Sequence, residues 1–192
     1  MGIEIKALSP ELVNDFINYF DNVAFKDHDD WSACYCLESH LREVEEAEIN
    51  KLGKQGRRNK AMKLIKDKVL QGYLAYQDGE VVGWCNAGER KGYERLGGSE
   101  QLKNTINDDM KIKSIVCFNI SSKMRGKGIA TMLLNYICEE AKNDGYSYVE
   151  GYPRKGSENC YFHYHGPYEL YSKCGFTFYK DFGEITIVRK EL

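Results

Sequence analysis

The 192-residue chain is short of several things, and each shortage excludes something. No apolar run approaches the roughly 20 residues a membrane-spanning helix needs, and no basic-then-apolar export segment opens the sequence. Neither charge sign dominates: 27 Lys and Arg stand against 29 Asp and Glu, a formal net charge of −2. That balance argues against a general nucleic-acid binder. The seven cysteines are odd in number and scattered, which does not suit a secreted disulfide framework. The expectation is a reduced, cytoplasmic protein with no membrane and no nucleic-acid partner. No internal repeat and no second domain is evident. Residues 1–192 read as one domain, with a charged helical insertion at about 38–70.

Two nucleotide-binding patterns are also incomplete. In Arg125-Gly126-Lys127-Gly128, the lysine is followed by glycine instead of Ser or Thr, and the first glycine of a hydrolase P-loop is missing. Gly126 and Gly128 fit the start of a dinucleotide fingerprint, and Glu150 lies at a suitable distance. Thr131, however, occupies the third glycine position.

What is present centres on residues 111–153. Ile112 to Ile120 is β-branched and apolar and reads as a buried strand. Gly126 and Gly128 then allow a sharp turn and close backbone approach to a ligand. Ile129, Met132, Leu133, Tyr136, Ile137 and Ala141 recur at helical spacing, and Asn143-Asp144-Gly145 ends the helix. Ser147 to Glu150 begins another strand. The unit is strand, glycine turn, helix, strand, and the helix start is an anion site reinforced by Arg125 and Lys127. A parallel pair of strands needs such a crossover, and this helix is the segment long enough to provide it.

Upstream, Ile3 to Ala7 alternates like an opening strand. Ser9-Pro10-Glu11 starts a helix whose buried face is Leu12, Val13, Phe16, Ile17 and Phe20. Glu38 to Glu48 carries five glutamates against Arg42, and Lys51 to Lys68 carries eight basic residues against Asp67. These read as two solvated helices joined at Gly53 to Gly56, with Met62, Ile65 and Val69 packing inward. The sharper reading has the acidic helix attracting a cationic amine, or the basic one meeting phosphates. Tyr73 to Tyr76 and Val81 to Asn86 form a hairpin around Asp78-Gly79. Lys91 to Asp109 is a loop with at most one short helix. Thr177 to Lys180 and Glu184 to Arg189 form a closing strand pair. Cys34-x-Cys36-x3-His40, with Cys160, His163 and His165, lacks the usual zinc spacing, so packing around a substrate entrance is expected and no metal.

Arg125-x-x-Gly128-x-Ala130 resembles the acetyl-CoA pyrophosphate loop of the GNAT superfamily of N-acetyltransferases. Leu170-Tyr171-Ser172-Lys173-Cys174-Gly175-Phe176 resembles that superfamily's second signature. The resemblance covers about Gly72 to Val188. It implies an α/β fold of the α+β type: a mixed, mostly antiparallel twisted sheet flanked by helices, with a βαβ acetyl-CoA-binding unit. It further implies that backbone groups of Phe118, Asn119 and Ile120 pair with pantetheine, and that Arg125 through Thr131 (Gly126, Lys127, Gly128, Ile129 and Ala130 between them) receive the pyrophosphate. Tyr171 matches the position used as general acid toward the departing thiolate. Glu158, His163 and His165 fall where some members draw a base. Two positions depart from the pattern: Tyr164 stands where an asparagine often contacts CoA, and Pro167 replaces a small residue.

The implied activity is direct transfer of acetyl from acetyl-CoA to a primary amine, with a small molecule or peptide as acceptor and no metal. Self-association as a homodimer is compatible with it. The alternative is a non-catalytic acyl-CoA-binding or sensor domain, against which an intact Tyr171 argues.

Overall fold

The computed structural model describes residues 2–105, 110–156 and 164–192. Seven strands form one sheet in the order β1-β2-β3-β4-β5-β7-β6. They are β1 (Glu4–Ala7), β2 (Tyr73–Gln77), β3 (Glu80–Glu89), β4 (Ile112–Ile120), β5 (Tyr148–Gly151), β6 (Thr177–Phe182) and β7 (Ile185–Glu191). Every pairing is antiparallel except β4 with β5. Among the described residues six α-helices accompany the sheet: α1 (Val13–Asn22), α2 (Glu43–Asn50), α3 (Gly53–Lys66), α4 (Glu100–Thr105), α5 (Ile129–Asn143) and α6 (Tyr168–Lys173). The expected α/β architecture and its βαβ unit are therefore present, and β4 has the bounds read from the sequence. None of the described helices is long and apolar enough to cross a membrane.

Alternation along the strands builds two apolar layers. On β2, Tyr73 and Ala75 face α5 and α6, while Leu74 and Tyr76 face α1 and α3. Trp84 anchors the second layer, edge-on to Phe16 at 4.9 Å between ring centroids; truncating such a residue costs about 3–5 kcal/mol. The β2–β3 turn has Asp78 at φ 53° and Gly79 at φ 84°, the left-handed pair that a tight hairpin demands.

Three expectations need correction. On α5, Met132 and Tyr136 are 45% and 39% exposed. The buried ridge is Ile129, Leu133, Ile137 and Ala141, widened by Leu134 and Cys138 instead. Two adjacent apolar stripes fit helical spacing equally well, and packing against β3 and β4 selects one. Val69 lies beyond the end of α3 and is 46% exposed, so the inward positions there are Ala61, Leu64 and Ile65. Gly56 lies inside α3, not between helices, and a Cβ there would stand 2.3 Å from that of Leu52, so the close approach requires glycine.

The feature that makes a site is a fork. β4 pairs with β5 only over Ile112–Ile115, and its register with β3 shifts between Asn86 and Ala87. Among the described residues, no strand pairs with that side of β4 from Val116 onward.

Candidate functional site

The fork opens into a cavity of about 860 Å³, within the range of small-molecule sites. Phe118, Asn119, Ile120, Arg125 and Ala130 line one end. Gly126 and Gly128, at φ 75° and 79°, turn the chain from β4 into α5. A Cβ at either would meet nothing within 4 Å, so the left-handed backbone, not crowding, requires glycine. Gly128 precedes the 15-residue α5, and its carbonyl accepts the Met132 N–H at 3.0 Å. The N–H groups of Ile129, Ala130 and Thr131 have no partner within the helix, and the helix dipole adds positive potential there. Lys127 ion-pairs with no carboxylate among the described residues, its Nζ lying 3.5 Å from Met124 Sδ. Ile129 points into the core, and Gly126, Lys127, Gly128 and Thr131 shape the turn without lining the cavity.

Two of the expected cofactor residues carry bonds of their own. Arg125 donates from Nε to the Ile120 carbonyl at 3.0 Å and grips Asp27 with both terminal nitrogens. Asn119 receives the Tyr19 hydroxyl on its carbonyl at 3.0 Å and on Oδ1 at 2.6 Å. Tyr19, which the sequence reading placed on no face, is buried on α1, and its partner lies 100 residues away in sequence.

Tyr171 is fully buried and does not line the cavity. Its hydroxyl donates to the His165 carbonyl at 2.8 Å. A Cβ on Gly151, the last residue of β5, would stand 2.8 Å from that oxygen, so Tyr171 lies beneath the point where β4 and β5 part. Burial pushes its pKa well above the ordinary phenol value, and it stays protonated near neutrality. His165 hydrogen-bonds through Nδ1 to the Val116 carbonyl at 3.1 Å. A carbonyl only accepts, so the proton is on Nδ1. Burial, assisted by Arg154, depresses the pKa to about 3, leaving the ring neutral. Glu158, Cys160 and His163 lie outside the described residues. Among those described, no group of three or more His, Cys, Asp or Glu could hold a metal ion.

The far end is built by the segment after α1. Cys34, Cys36 and Glu38 line it, with Arg154 and Tyr164 opposite. Tyr164 donates to Glu38 Oε2 at 3.3 Å, and Glu38 forms no ion pair with a described cation. Two arginines hold this wall. Arg57 of α3 donates to the carbonyls of Ala33 at 2.7 Å and Cys34 at 3.1 Å, and Arg95 donates to those of Glu38 and Leu41, both at 2.9 Å. Glu46 of α2 joins the two guanidinium groups. The charge run read as solvated therefore contributes a buried arginine and its counter-ion. Glu38 was indistinguishable from the glutamates that follow it in sequence.

Residues 28–176 match the acetyltransferase (GNAT) family. No curated protein matches the chain by sequence. Similar solved structures include the PaiA N-acetyltransferase of Thermoplasma acidophilum in complex with coenzyme A, with a TM-score of 0.56, 18% identity and complete coverage of both chains. The GNAT domain of S. lividans PAT has a TM-score of 0.58 at 11% identity, over 99% of this chain and 90% of that one. The IAA acetyltransferase of Bacillus cereus ATCC 14579 has a TM-score of 0.51 at 18% identity, over 100% of each chain. At such identities the likeness concerns the fold, and the family match rests on the sequence itself. The chain belongs to the GNAT family of acetyltransferases.

Proposed function

We propose that the protein transfers the acetyl group of acetyl-CoA directly to a primary amine of a small molecule or peptide. One observation carries this reading: a single cavity joins the forked edge of β4 and the start of α5 to a half-buried carboxylate, Glu38. The pyrophosphate rests on the N–H groups of residues 129–131 beside Arg125 and Lys127. Pantetheine runs along Phe118, Asn119 and Ile120, where a strand N–H stabilises the charge that develops on the thioester oxygen. Holding amine and thioester together makes the encounter effectively intramolecular. Glu38 attracts the ammonium form and takes its proton. The neutral nitrogen then attacks the carbonyl carbon, the C–S bond breaks, and Tyr171 supplies a proton to the thiolate. No metal is needed for any of these steps. The free cysteines among the described residues support a reduced, cytoplasmic setting.

The test is acetyl-CoA with a panel of primary amines, following release of the CoA thiol, in the wild type and in Gly128→Asp. The variant forces a side chain into a left-handed position and sets a negative charge against phosphate. Its CoA affinity falls sharply by calorimetry and turnover falls with it. Tight CoA binding without thiol release for any amine supports the sensor-domain alternative and overturns this reading.

A further inference from the structure

The cavity wall carries three thiols that acetyl transfer does not use. Cys34 and Cys36 come from the segment after α1, and Cys117 comes from β4. Asn86 brings Cys36 and Cys117 together. Asn86 is the Cα partner of Cys117 across β3 and β4, and its Nδ2 reaches the Cys36 carbonyl at 3.3 Å and the Cys36 Sγ at 3.2 Å. Both side chains line the same cavity.

The surroundings set the two sulfurs apart chemically. Burial pushes the Cys36 thiol up, but donors close to its sulfur, the Asn86 amide at 3.2 Å among them, hold it below its ordinary value. The Trp84 indole nitrogen is fully buried and has no hydrogen-bond partner among the described residues. Cys117 is raised well above the usual range by the neighbouring Cys36 and by burial, and burial lifts Cys34 to about 12. Cys36 is therefore the more readily ionised of the two and Cys117 the less, an asymmetry that suits disulfide formation. Cys36 is also held in place: Tyr35 and Cys36 both adopt left-handed backbone, at φ 43° and 53°, while Arg57 grips the two preceding carbonyls. The bond itself needs sulfurs about 2.05 Å apart, and Asn86 holds the Cys36 sulfur beside the Cys117 position on β4.

We propose that Cys36 and Cys117 are a redox-active pair whose disulfide forms inside the acetyl-transfer cavity in response to a peroxide. The Cys36 thiolate attacks one peroxide oxygen; the O–O bond breaks, Cys36 becomes a sulfenic acid and hydroxide leaves. Cys117 then attacks that sulfur, the S–O bond breaks, and the thiol proton and the departing hydroxyl form water. Two thiols and one hydrogen peroxide give one disulfide and two waters. The bond staples the wall that carries Glu38 to β4 immediately before Phe118, beside the path of the thioester, and a dithiol reductant reverses it.

The test uses the full chain and needs no acceptor. Protein treated with hydrogen peroxide is alkylated, digested without reduction and mapped by mass spectrometry. The expected product is one cross-link between the peptides carrying Cys36 and Cys117, with loss of two hydrogens, restored by dithiothreitol. In Cys117→Ser the Cys36 sulfenic acid persists and is trapped by dimedone; in Cys36→Ser no adduct forms at 117. With an active amine in hand, oxidised wild type loses most of its rate and regains it on reduction. Both thiols remaining alkylatable after peroxide, or Cys36 joined to Cys34, overturns the proposal. The mass readout is independent of acetyl transfer, so its failure is distinct from failure of the enzymatic reading.

Discussion

Arg125 and Asp27 clasp each other across the lip of the cavity, with a second guanidinium contact at 3.2 Å and Nε anchored on Ile120. The side chain expected to meet phosphate is thereby tied to the segment after α1, and its guanidinium holds the Asp27 carboxyl below the usual range. Asp27 sets a negative charge beside an anion site. In Asp27→Asn the guanidinium is freed, and CoA binding tightens a few-fold at low salt. The gain shrinks as ionic strength rises, because this pair is solvent-exposed. Arg125→Ala moves affinity the other way. Calorimetric titration with CoA at two salt concentrations decides it, and weaker binding in Asp27→Asn means that the clasp itself shapes the site.

A second prediction concerns the wall that carries Glu38. Arg57→Ala removes donors to the carbonyls of Ala33 and Cys34 and leaves Glu46 with Arg95 alone. Breaking a buried ion pair of this kind costs about 3–5 kcal/mol, and partial burial of Glu46 puts this one at about 2–4 kcal/mol. Lysine cannot reproduce the fork that spans two carbonyls, so Arg57→Lys recovers little of it. Urea denaturation midpoints measure the loss. A CoA affinity unchanged in whichever variant stays folded locates the damage on the acceptor side.

What could be read ahead of the structure follows from the range of the forces involved. The βαβ unit was legible because strand, glycine turn and helix are each specified within a few residues. The Ile112–Ile120 strand and the Asp78-Gly79 turn are local facts of that kind. Arg57 was not legible, since its partners at Ala33 and Cys34 lie more than 20 residues away in sequence and a buried arginine looks like any other member of a basic helix. The site divides along the same line. Gly126 and Gly128 announce themselves by the backbone they permit. Glu38, Cys36 and Cys117 become a wall only when β3 brings Asn86 between them.

Acid should unfold the protein through two imidazoles. His40 Nε2 faces the Asn86 amide at 3.1 Å, and burial depresses the His40 pKa to about 4; His165 lies at about 3 for the reasons given above. Both are free to take up protons at about 6.5 once unfolded. The unfolded chain then binds more protons than the native one, so stability is present above pH about 6.5 and falls through the folded values. Each unit of depression is worth about 1.4 kcal/mol, so together they remove several kcal/mol by pH 4. Asp27 and Asp181 titrate lower, which leaves the decline above pH 5 to the histidines. Urea midpoints from pH 7 to 4 should drop steadily and drop less in His40→Gln. A flat profile would falsify the buried neutral state.

The last prediction concerns Tyr171, whose motif marks it as the proton donor while its hydroxyl rests on the His165 carbonyl under the fork. The bond to His165 is one a phenol can exchange for a thiolate arriving between β4 and β5. Tyr171→Phe keeps the ring that packs against Phe118 and Phe176 and removes only the oxygen. Loss of a single buried hydrogen bond should cost stability by about 1 kcal/mol, and CoA affinity should be unchanged. Turnover should fall by about 10²–10⁴, the usual contribution of a general acid, and the loss should sit in the chemical step. Single-turnover rates with an active amine isolate that step from product release. A leaving thiolate that has lost its acid must take its proton from solvent, so the pH profile of the variant should shift toward acid relative to wild type. A wild-type single-turnover rate, with only the small drop in stability, would make Tyr171 a core residue and pass the proton to another donor at the fork.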